Sequence, residues 1–451
     1  MSKEKENIDP NKIDGSPQKN LFISMLVKDL TLRDAIGDLI DNSVDGARNL
    51  MPLGKFSGLK IDIIINEDEF IIKDNCGGFS VDDARNYAFC FGKKDDDVGE
   101  KGTIGHFGIG MKRALFKMGN YFDVKSTYKN SQFEMDENVD HWKRRKEWDF
   151  KFKTDPLEDI KPYFTNDKRG TTITVKDLRE EVKVQFSDKN FIKKLKEEIE
   201  LEHLFTIHKG LQISINKVIL STRELDFIDD KGIKPGYWKK KYGKLNVELY
   251  VGASSDKGEE GGWYIFCNDR LIKGPETTQM TGWTGRKGDG VAEYHDQFHR
   301  FRGYAFFSSD DSGTIPWNTT KNGMDMDSAI YKDVRIQMIE MMRPVMTFCN
   351  ILKTERGGTP PIPESERILN SIVNSAKIYP LLKIIDKPIK LNSKFEFPLQ
   401  PKKPKEDAGK QISYKKPEDQ IDAAKEYFGV TSNKEVGEKT FDYFYEMEIN
   451  K

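Results

Sequence analysis

Thr31–Leu50, TLRDAIGDLIDNSVDGARNL, is the stretch on which the reading of this chain turns. At about 100° per residue it divides into two faces. Leu32, Ile36, Leu39, Ile40, Val44 and Ala47 fall on one side, and Asp34, Asp38, Asp41, Asn42 and Asp45 on the other. The wet face of an ordinary amphipathic helix mixes both signs of charge. This one carries four carboxylates and one amide, with Arg33 and Arg48 toward its two ends. Crowded carboxylates repel one another unless a cation sits among them. A solvated acidic face is one reading. A stripe that holds Mg²⁺ and supplies a general base beside a phosphate ligand is the other.

Leu59–Ile65 and Glu69–Lys73 are β-branched apolar runs separated by an Asn-Glu-Asp turn, so a hairpin is predicted. Its second strand delivers Asp74 into DNCGGF. A carboxylate at a strand end can accept a hydrogen bond from an amino group such as the exocyclic amine of adenine, and a neighbouring glycine, Gly78, lets a flat ring approach the backbone. The same residues also read as a plain turn. After a predicted helix at Val81–Phe89, the glycines of KGTIGHFGIGMK open onto a helix expected at Met111–Met118. A glycine-rich segment entering a helix presents unpaired N–H groups to an anion. Lys112, in the first turn, opposes the helix dipole, which suits a nearby phosphate. The spacing is not that of a Walker A loop.

Strands are predicted at Tyr121–Tyr128, Gln132–Met135, Trp148–Lys153 and Gly170–Leu178. HWKRRKEW, between the second and third, sets Lys143, Arg144, Arg145 and Lys146 between two tryptophans. It reads as a nucleic-acid contact or as a hairpin loop with a wet tip. Residues 187–204 are predicted helical with Ser187 as cap. The pattern then changes to strands, LQISIN, KLNVELYVGA, GWYIFCNDRLI and RGYAFFSS, followed by a loop holding Lys321 and a helix over Ile330–Asn350. His295 and His299 are four residues apart but lack a third ligand nearby. Beyond Arg356 the chain is Pro- and Lys-rich, and residues 402–416 read as a linker or a basic strap. Two short helices broken at Gly429–Asn433 are expected at the end, with Tyr427, Phe428, Phe441, Tyr443, Phe444 and Tyr445 in need of a partner surface.

The 451 residues suffice for two or three domains. With Lys+Arg 73 against Asp+Glu 74, any nucleic-acid contact must be a local patch. Cys76, Cys90, Cys267 and Cys349 form no CxxC pair, so neither a zinc site nor a disulfide framework is suggested. The opening MSKEKENIDPNK lacks the apolar core of a signal peptide. No apolar run reaches membrane-spanning length, and a cytoplasmic protein without membrane contact is expected.

Taken in order, DLIDNSVDG, DNCGG, GTIGHFGIGMK and RGTTITV resemble the four nucleotide-binding motifs of the GHKL (Bergerat-fold) ATPase superfamily. That superfamily includes gyrase-type topoisomerases, heat-shock-ninety chaperones, histidine kinases, MutL and MORC proteins. IFCNDRLI and PWNTTKNGMD resemble the transducer domain of MutL and MORC, and the lid sequence looks most like MORC. The resemblance implies an α+β fold: a Bergerat two-layer sandwich of helices on a mixed sheet, a ribosomal-S5-like α+β transducer and a small helical C-terminal region. The boundaries it suggests are a flexible arm over 1–19, a nucleotide domain over 20–183, a transducer over 184–352 and a Pro/Lys-rich linker with helices over 353–451.

It also implies roles. Asn42 would ligate Mg²⁺, Asp38 would act as general base, and Asp45 and Gly78 would belong to the nucleotide site. Asp74, with Thr171, would read adenine. Gly105, Phe107, Gly108, Ile109 and Gly110 would offer amides to the phosphates of ATP, Lys112 would add charge, and Lys321 would reach the γ-phosphate. Two departures stand out. Asp38 replaces the usual Glu and is one methylene shorter, about 1.5 Å, and Cys76 replaces a usual Gly. The implied function is an ATP-dependent homodimeric clamp acting on double-stranded DNA through Lys143–Lys146 and residues 402–416. The alternatives are a chaperone-like scaffold and a low-turnover nucleotide sensor in a bacterial defence system. Without the long coiled coil and reader domains of eukaryotic MORC proteins, a prokaryotic source is expected.

Overall fold

The computed structural model describes residues 18–91, 109–161, 163–230, 232–255, 260–286, 288–318, 321–357, 363–386, 391–398 and 412–449. The expected arm over 1–19 lies outside them except for its last two residues. The chain divides into two compact units, Met1–Pro398 and Leu399–Lys451.

In the first unit the elements run α1 (Lys19–Val27), α2 (Leu32–Leu50), β1 (Lys60–Ile65), β2 (Glu69–Asp74), α3 (Val81–Asp83), α4 (Gly110–Met118), β3 (Gly119–Thr127), β4 (Gln132–Asn138), α5 (Val139–Arg144) and β5 (Gly170–Leu178). They continue as α6 (Glu180–Ser187), α7 (Lys189–Glu202), α8 (Leu204–His208), β6 (Gln212–Ile215), β7 (Val218–Ile219), β8 (Asp226–Asp229), β9 (Gly236–Tyr242), β10 (Leu245–Ala253), β11 (Gly262–Cys267) and β12 (Arg270–Glu276). β13 (Phe301–Ser308), α9 (Ala329–Gly357), α10 (Ile368–Ser375), β14 (Lys377–Pro380) and α11 (Leu381–Asp386) complete it.

Among the described residues this unit holds two large sheets and one antiparallel pair, β8 with β14. The first has the order β4-β3-β5-β2-β1-β6-β7. It is antiparallel except where β6 lies parallel to β1, so it is mixed, and helices α2 and α4 pack against one another beside it. This is the helices-on-mixed-sheet sandwich of the expected α+β class. The sheet does not stop at residue 183: β6 and β7 extend it to Ile219. The second sheet has the order β12-β11-β13-β10-β9, and the long helix α9 lies on β10 and β13. Among the described residues no helix is long and apolar enough to cross a membrane.

Helix α2 begins where Thr31 and Asp34 close a capping box, each side chain bonding the other's backbone N–H. Its apolar face is buried as the periodicity demands, with Ala35, Ile36, Leu39, Ile40, Val44 and Ala47 at 1 % exposure or less. The opposite face departs from a solvated stripe, because Asp41 and Asp45 are buried too. Two local expectations need correction. Trp148–Lys153 makes only one bridge, Phe152 to Met135, rather than a strand. Ser187 ends α6, and Asp188 caps α7 by accepting from the Asn190 amide.

In the second unit, α12 (Glu418–Phe428) ends at Gly429, whose φ of +63° suits glycine, and a Ser432–Glu435 capping box starts α13 (Asn433–Phe444). Val436 is buried, whereas Tyr427, Phe441, Tyr443, Phe444 and Tyr445 are exposed.

Candidate functional site

The acidic stripe of α2 meets cations delivered from the second sheet. Lys321 sits in the loop between β13 and α9, with φ +53°. Its backbone N–H donates to the Asn318 carbonyl (3.0 Å). A left-handed backbone costs a non-glycine residue roughly 1–2 kcal/mol and persists where surroundings hold it. Here Nζ donates to Asp38 Oδ1 (3.2 Å) and Asp41 Oδ2 (2.9 Å). The other Asp41 oxygen, Oδ1, accepts from Arg270 Nε (2.6 Å). Arg270 also donates from Nη2 to Glu202 (3.3 Å), and Gly37 of α2 makes room for it, since a Cβ there would lie 3.3 Å from Nη2.

Burial alone would raise the pKa of Asp41, but Arg270 and then Lys321 hold it well below the usual carboxylate range. Burial works against the charge of Lys321 as well, and Asp41 and Asp38 outweigh it, so its pKa is raised. Burial pushes His203, 3.7 Å from Asp41, down to about 3, so it is neutral at pH 7. Loss of hydration pushes Glu202 up to about 7, against the pull of Arg270.

Asp38 keeps 15 % of its side chain exposed, and the first residue of α4 abuts it. A Cβ on Gly110 would lie 3.1 Å from the Asp38 carboxylate. Helix α4 opens after Ile109 without a side-chain cap, which leaves its first N–H groups for an external acceptor. Asn42, four residues on from Asp38, is exposed on α2.

Asp74, at the end of β2, is held from three directions. Oδ1 accepts from the Cys76 amide (2.8 Å) and the Thr171 amide (3.3 Å), and Oδ2 accepts from Ser43 Oγ (2.8 Å). Burial raises its pKa, with these three donors opposing. The loop after it is packed backbone to backbone. A Cβ on Gly78 would meet the Thr127 carbonyl oxygen at 2.3 Å, one on Gly170 the Asp74 carbonyl oxygen at 2.0 Å, and one on Gly46 of α2 the Cys76 carbonyl oxygen at 2.6 Å. Positive φ falls on Gly77 and Gly78, not on Cys76. The replacement of the usual glycine by cysteine therefore imposes no left-handed strain, and its side chain is buried.

Asp38 and Lys321 thus meet beside Gly110, Asn42 stands one turn further along α2, and Asp74, bonded by Ser43 and Thr171, is followed by the tightly packed turn at Gly78. Asp45 is buried and pairs with Arg48 (3.7 Å). Lys112 lies in the first turn of α4 but is 2 % exposed, Nζ donates to the Ala88 carbonyl (2.8 Å), and burial lowers its pKa to about 8. Gly105, Phe107 and Gly108 lie outside the described residues, as do 402–411.

The first half of HWKRRKEW, His141–Arg144, completes the short helix α5, and Arg145–Trp148 follow it as irregular chain rather than as a hairpin tip. Trp142 is fully buried, stacked on Phe150, and Trp148 packs edge-on against it. Neither ring is a free stacking platform for bases. Lys143 pairs with Asp140 (3.1 Å) and Arg145 with Glu137, so part of the local charge is already neutralised. His295 and His299 flank a 3₁₀ turn, and no three metal-ligating side chains cluster among the described residues. Sequence reasoning gave no role to Asp41, Glu202 or His203. Asp41 was visible on the stripe, but nothing in the end of α7 marked Glu202 or His203.

Residues 30–171 match the family described as histidine kinase-, DNA gyrase B- and HSP90-like ATPase. No curated protein matches the chain.

Proposed function

We propose that this chain, which carries a GHKL-type ATPase domain over residues 30–171, hydrolyses ATP and uses the γ-phosphate to couple that domain to the second sheet. The observation that carries the reading is the 3.2 Å contact between Asp38 and Lys321, residues of the two sheets' layers separated by 283 positions. A γ-phosphate bound at the N-terminus of α4 lies within reach of both.

In this reading Asp74 accepts the adenine amine on Oδ2, whose orientation Ser43 fixes. Ile109 and Gly110 present N–H groups to the phosphates. Asp38 takes a proton from a water as its oxygen attacks the γ-phosphorus, the bond to the β-phosphate oxygen breaks, and ADP and phosphate leave. Asn42 fits Mg²⁺, because the ion prefers hard oxygen ligands and needs few from the protein when phosphates and water complete its shell; bound there, it would neutralise charge on the phosphates. Lys321, exchanging a carboxylate for the γ-phosphate, makes the contact between the sheets sensitive to ATP over ADP. The finer reading is a MORC- or MutL-like homodimeric clamp on double-stranded DNA. The basic residue Arg144 and the lysines of 402–416 are its proposed phosphate contacts.

The test measures ATP hydrolysis by wild type and Asp38→Asn, with and without double-stranded DNA, at low and high salt. Turnover that rises with DNA, fades with salt and vanishes in Asp38→Asn supports the whole reading. Turnover indifferent to DNA removes the clamp on DNA, and bound ATP without turnover leaves a switch in place of an enzyme.

A further inference from the structure

Arg270 meets Lys321 once directly and once through Asp41. Its Nη1 lies 3.5 Å from the Lys321 carbonyl oxygen, and its Nε holds the Asp41 carboxylate that receives the Lys321 ammonium. The two contacts bracket the lysine at its backbone and at its charged tip. Asp41 is 0 % exposed and has one oxygen on each cation, so its plane is fixed by the pair.

The guanidinium is in turn fixed from behind. Arg270 opens β12 immediately after the tight turn at Asn268 and Asp269, both in left-handed backbone. That turn is pinned on both flanks: Arg48 of α2 donates to the Asn268 carbonyl (2.6 Å), and Lys209 pairs with Asp269 (2.6 Å). Glu202, at the end of α7, takes the remaining edge of the guanidinium. A planar fork is suited to joining several acceptors at fixed angles, which a single ammonium cannot do.

We propose that Arg270 is a positioning residue for Lys321: through Asp41 and the Lys321 carbonyl it presents the ammonium at the height of Asp38, and Glu202 sets the angle of the guanidinium. The inference rests on the reading of Lys321 as the γ-phosphate contact. It adds that the contact depends on a residue that never meets the nucleotide. Lys321 stands in left-handed backbone on a loop tip, and a long flexible side chain there has many rotamers to lose. Holding it from both ends removes that cost before the phosphate arrives, the general benefit of preorganisation.

The experiment compares the affinity of the full chain for a non-hydrolysable ATP analogue and for ADP, by calorimetry with Mg²⁺, in wild type, Arg270→Met, Arg270→Lys and Glu202→Gln. The wild type is expected to favour the triphosphate. Arg270→Met should lose at least about tenfold of that preference while ADP affinity changes by less than about threefold. Arg270→Lys should recover part of the loss, and Glu202→Gln should lose about threefold. A purely structural role for Arg270 would lower both affinities together. Should Arg270→Met fail to fold, Glu202→Gln decides, since Glu202 touches neither Asp41 nor Lys321 directly. Full triphosphate preference in a folded Arg270→Met, or in Glu202→Gln when it is the deciding variant, overturns the inference alone. A wild type that binds neither nucleotide, or binds both equally, overturns the γ-phosphate reading and this inference with it.

Discussion

Replacing Gly78 by alanine tests whether the turn after Asp74 is a packed part of the nucleotide site. Two costs follow from the structure. Gly78 has φ +63°, and an L-residue in the left-handed region costs roughly 1–2 kcal/mol. The new Cβ would lie 2.3 Å from the Thr127 carbonyl oxygen, 2.9 Å from its carbon and 3.0 Å from the Gly170 oxygen. Those neighbours are backbone on β3 and β5, which cannot swing aside as a side chain can, and forcing one carbon into a packed site costs roughly 1–3 kcal/mol. Together the penalty is about 2–5 kcal/mol. The strand that must yield carries the Thr171 amide, whose bond to Asp74 is already 3.3 Å long. ATP affinity should fall at least about tenfold, equivalent to about 1.4 kcal/mol. Gly54→Ala is the matched control, since Gly54 has φ +69° and its Cβ would meet nothing closer than 4.0 Å; it carries the backbone cost alone. Urea unfolding and nucleotide calorimetry on both variants read the two effects. A Gly78→Ala protein as stable as Gly54→Ala, with wild-type ATP affinity, would refute the reasoning.

Three further outcomes are expected. Asp38→Asn should reduce turnover by about 10²–10⁴, the range for a lost general base, with ATP still bound in calorimetry; unchanged turnover would place the base elsewhere. Trp142→Ala should cost about 3–5 kcal/mol of stability in urea, because the ring is fully buried against Phe150 and Trp148; a neutral effect would return this segment to the surface. Acid stability should depend on His203 and Glu202 with opposite signs. His203 is pushed down to about 3, so its contribution is full above the unfolded value of 6.5 and is lost as pH falls from 6.5 toward 3. Glu202 is pushed up to about 7, so its contribution is present below 4.5 and lost as pH rises from 4.5 to 7. His203→Phe should therefore flatten the acid limb, and Glu202→Gln should make the decline on acidification begin nearer pH 6.5; urea midpoints across that range check both.

Much of the first sheet was legible because its signals are local. The α2 periodicity, the β1–β2 hairpin and the apolar pattern of α4 each act within a few residues. The same helix shows where legibility ended. Asp38 and Asp41 are alike in sequence, both on the polar stripe, yet one keeps access to solvent and the other is fully buried. The difference comes from Arg270 and Lys321, more than two hundred residues away. HWKRRKEW failed differently. Its alternation of cations and tryptophans suits a nucleic-acid loop as well as a segment whose rings join an aromatic core, and two of the deciding partners, Phe91 and Phe116, lie far off in the chain. Boundaries were least legible: β6 reaches the first sheet through a parallel pairing with β1, a long-range choice that composition does not encode.

The cluster at α2 also bears on the shorter carboxylate at position 38. Asp38 and Asp41 face Lys321, and Arg270 is shared between Asp41 and Glu202. If Lys321 leaves Asp38 for a γ-phosphate, Asp41 remains neutralised by Arg270 while Asp38 loses its cation. In the proposed reading, Lys321 and Asp38 are linked by one displacement: the contact that would report the third phosphate would also release the carboxylate proposed as the base. A base one methylene shorter than usual must depend on geometry more than on reach, and a displacement of about 1 Å can cost roughly 10²-fold in rate. Asp41 and Arg270 hold their side of the cluster rigid, which confines the movement to Lys321. On this view an Asp38→Glu substitution is expected to leave hydrolysis no faster, because the longer arm would close on the backbone of Gly110, which stands so near that a Cβ added to it would lie 3.1 Å from the present carboxylate.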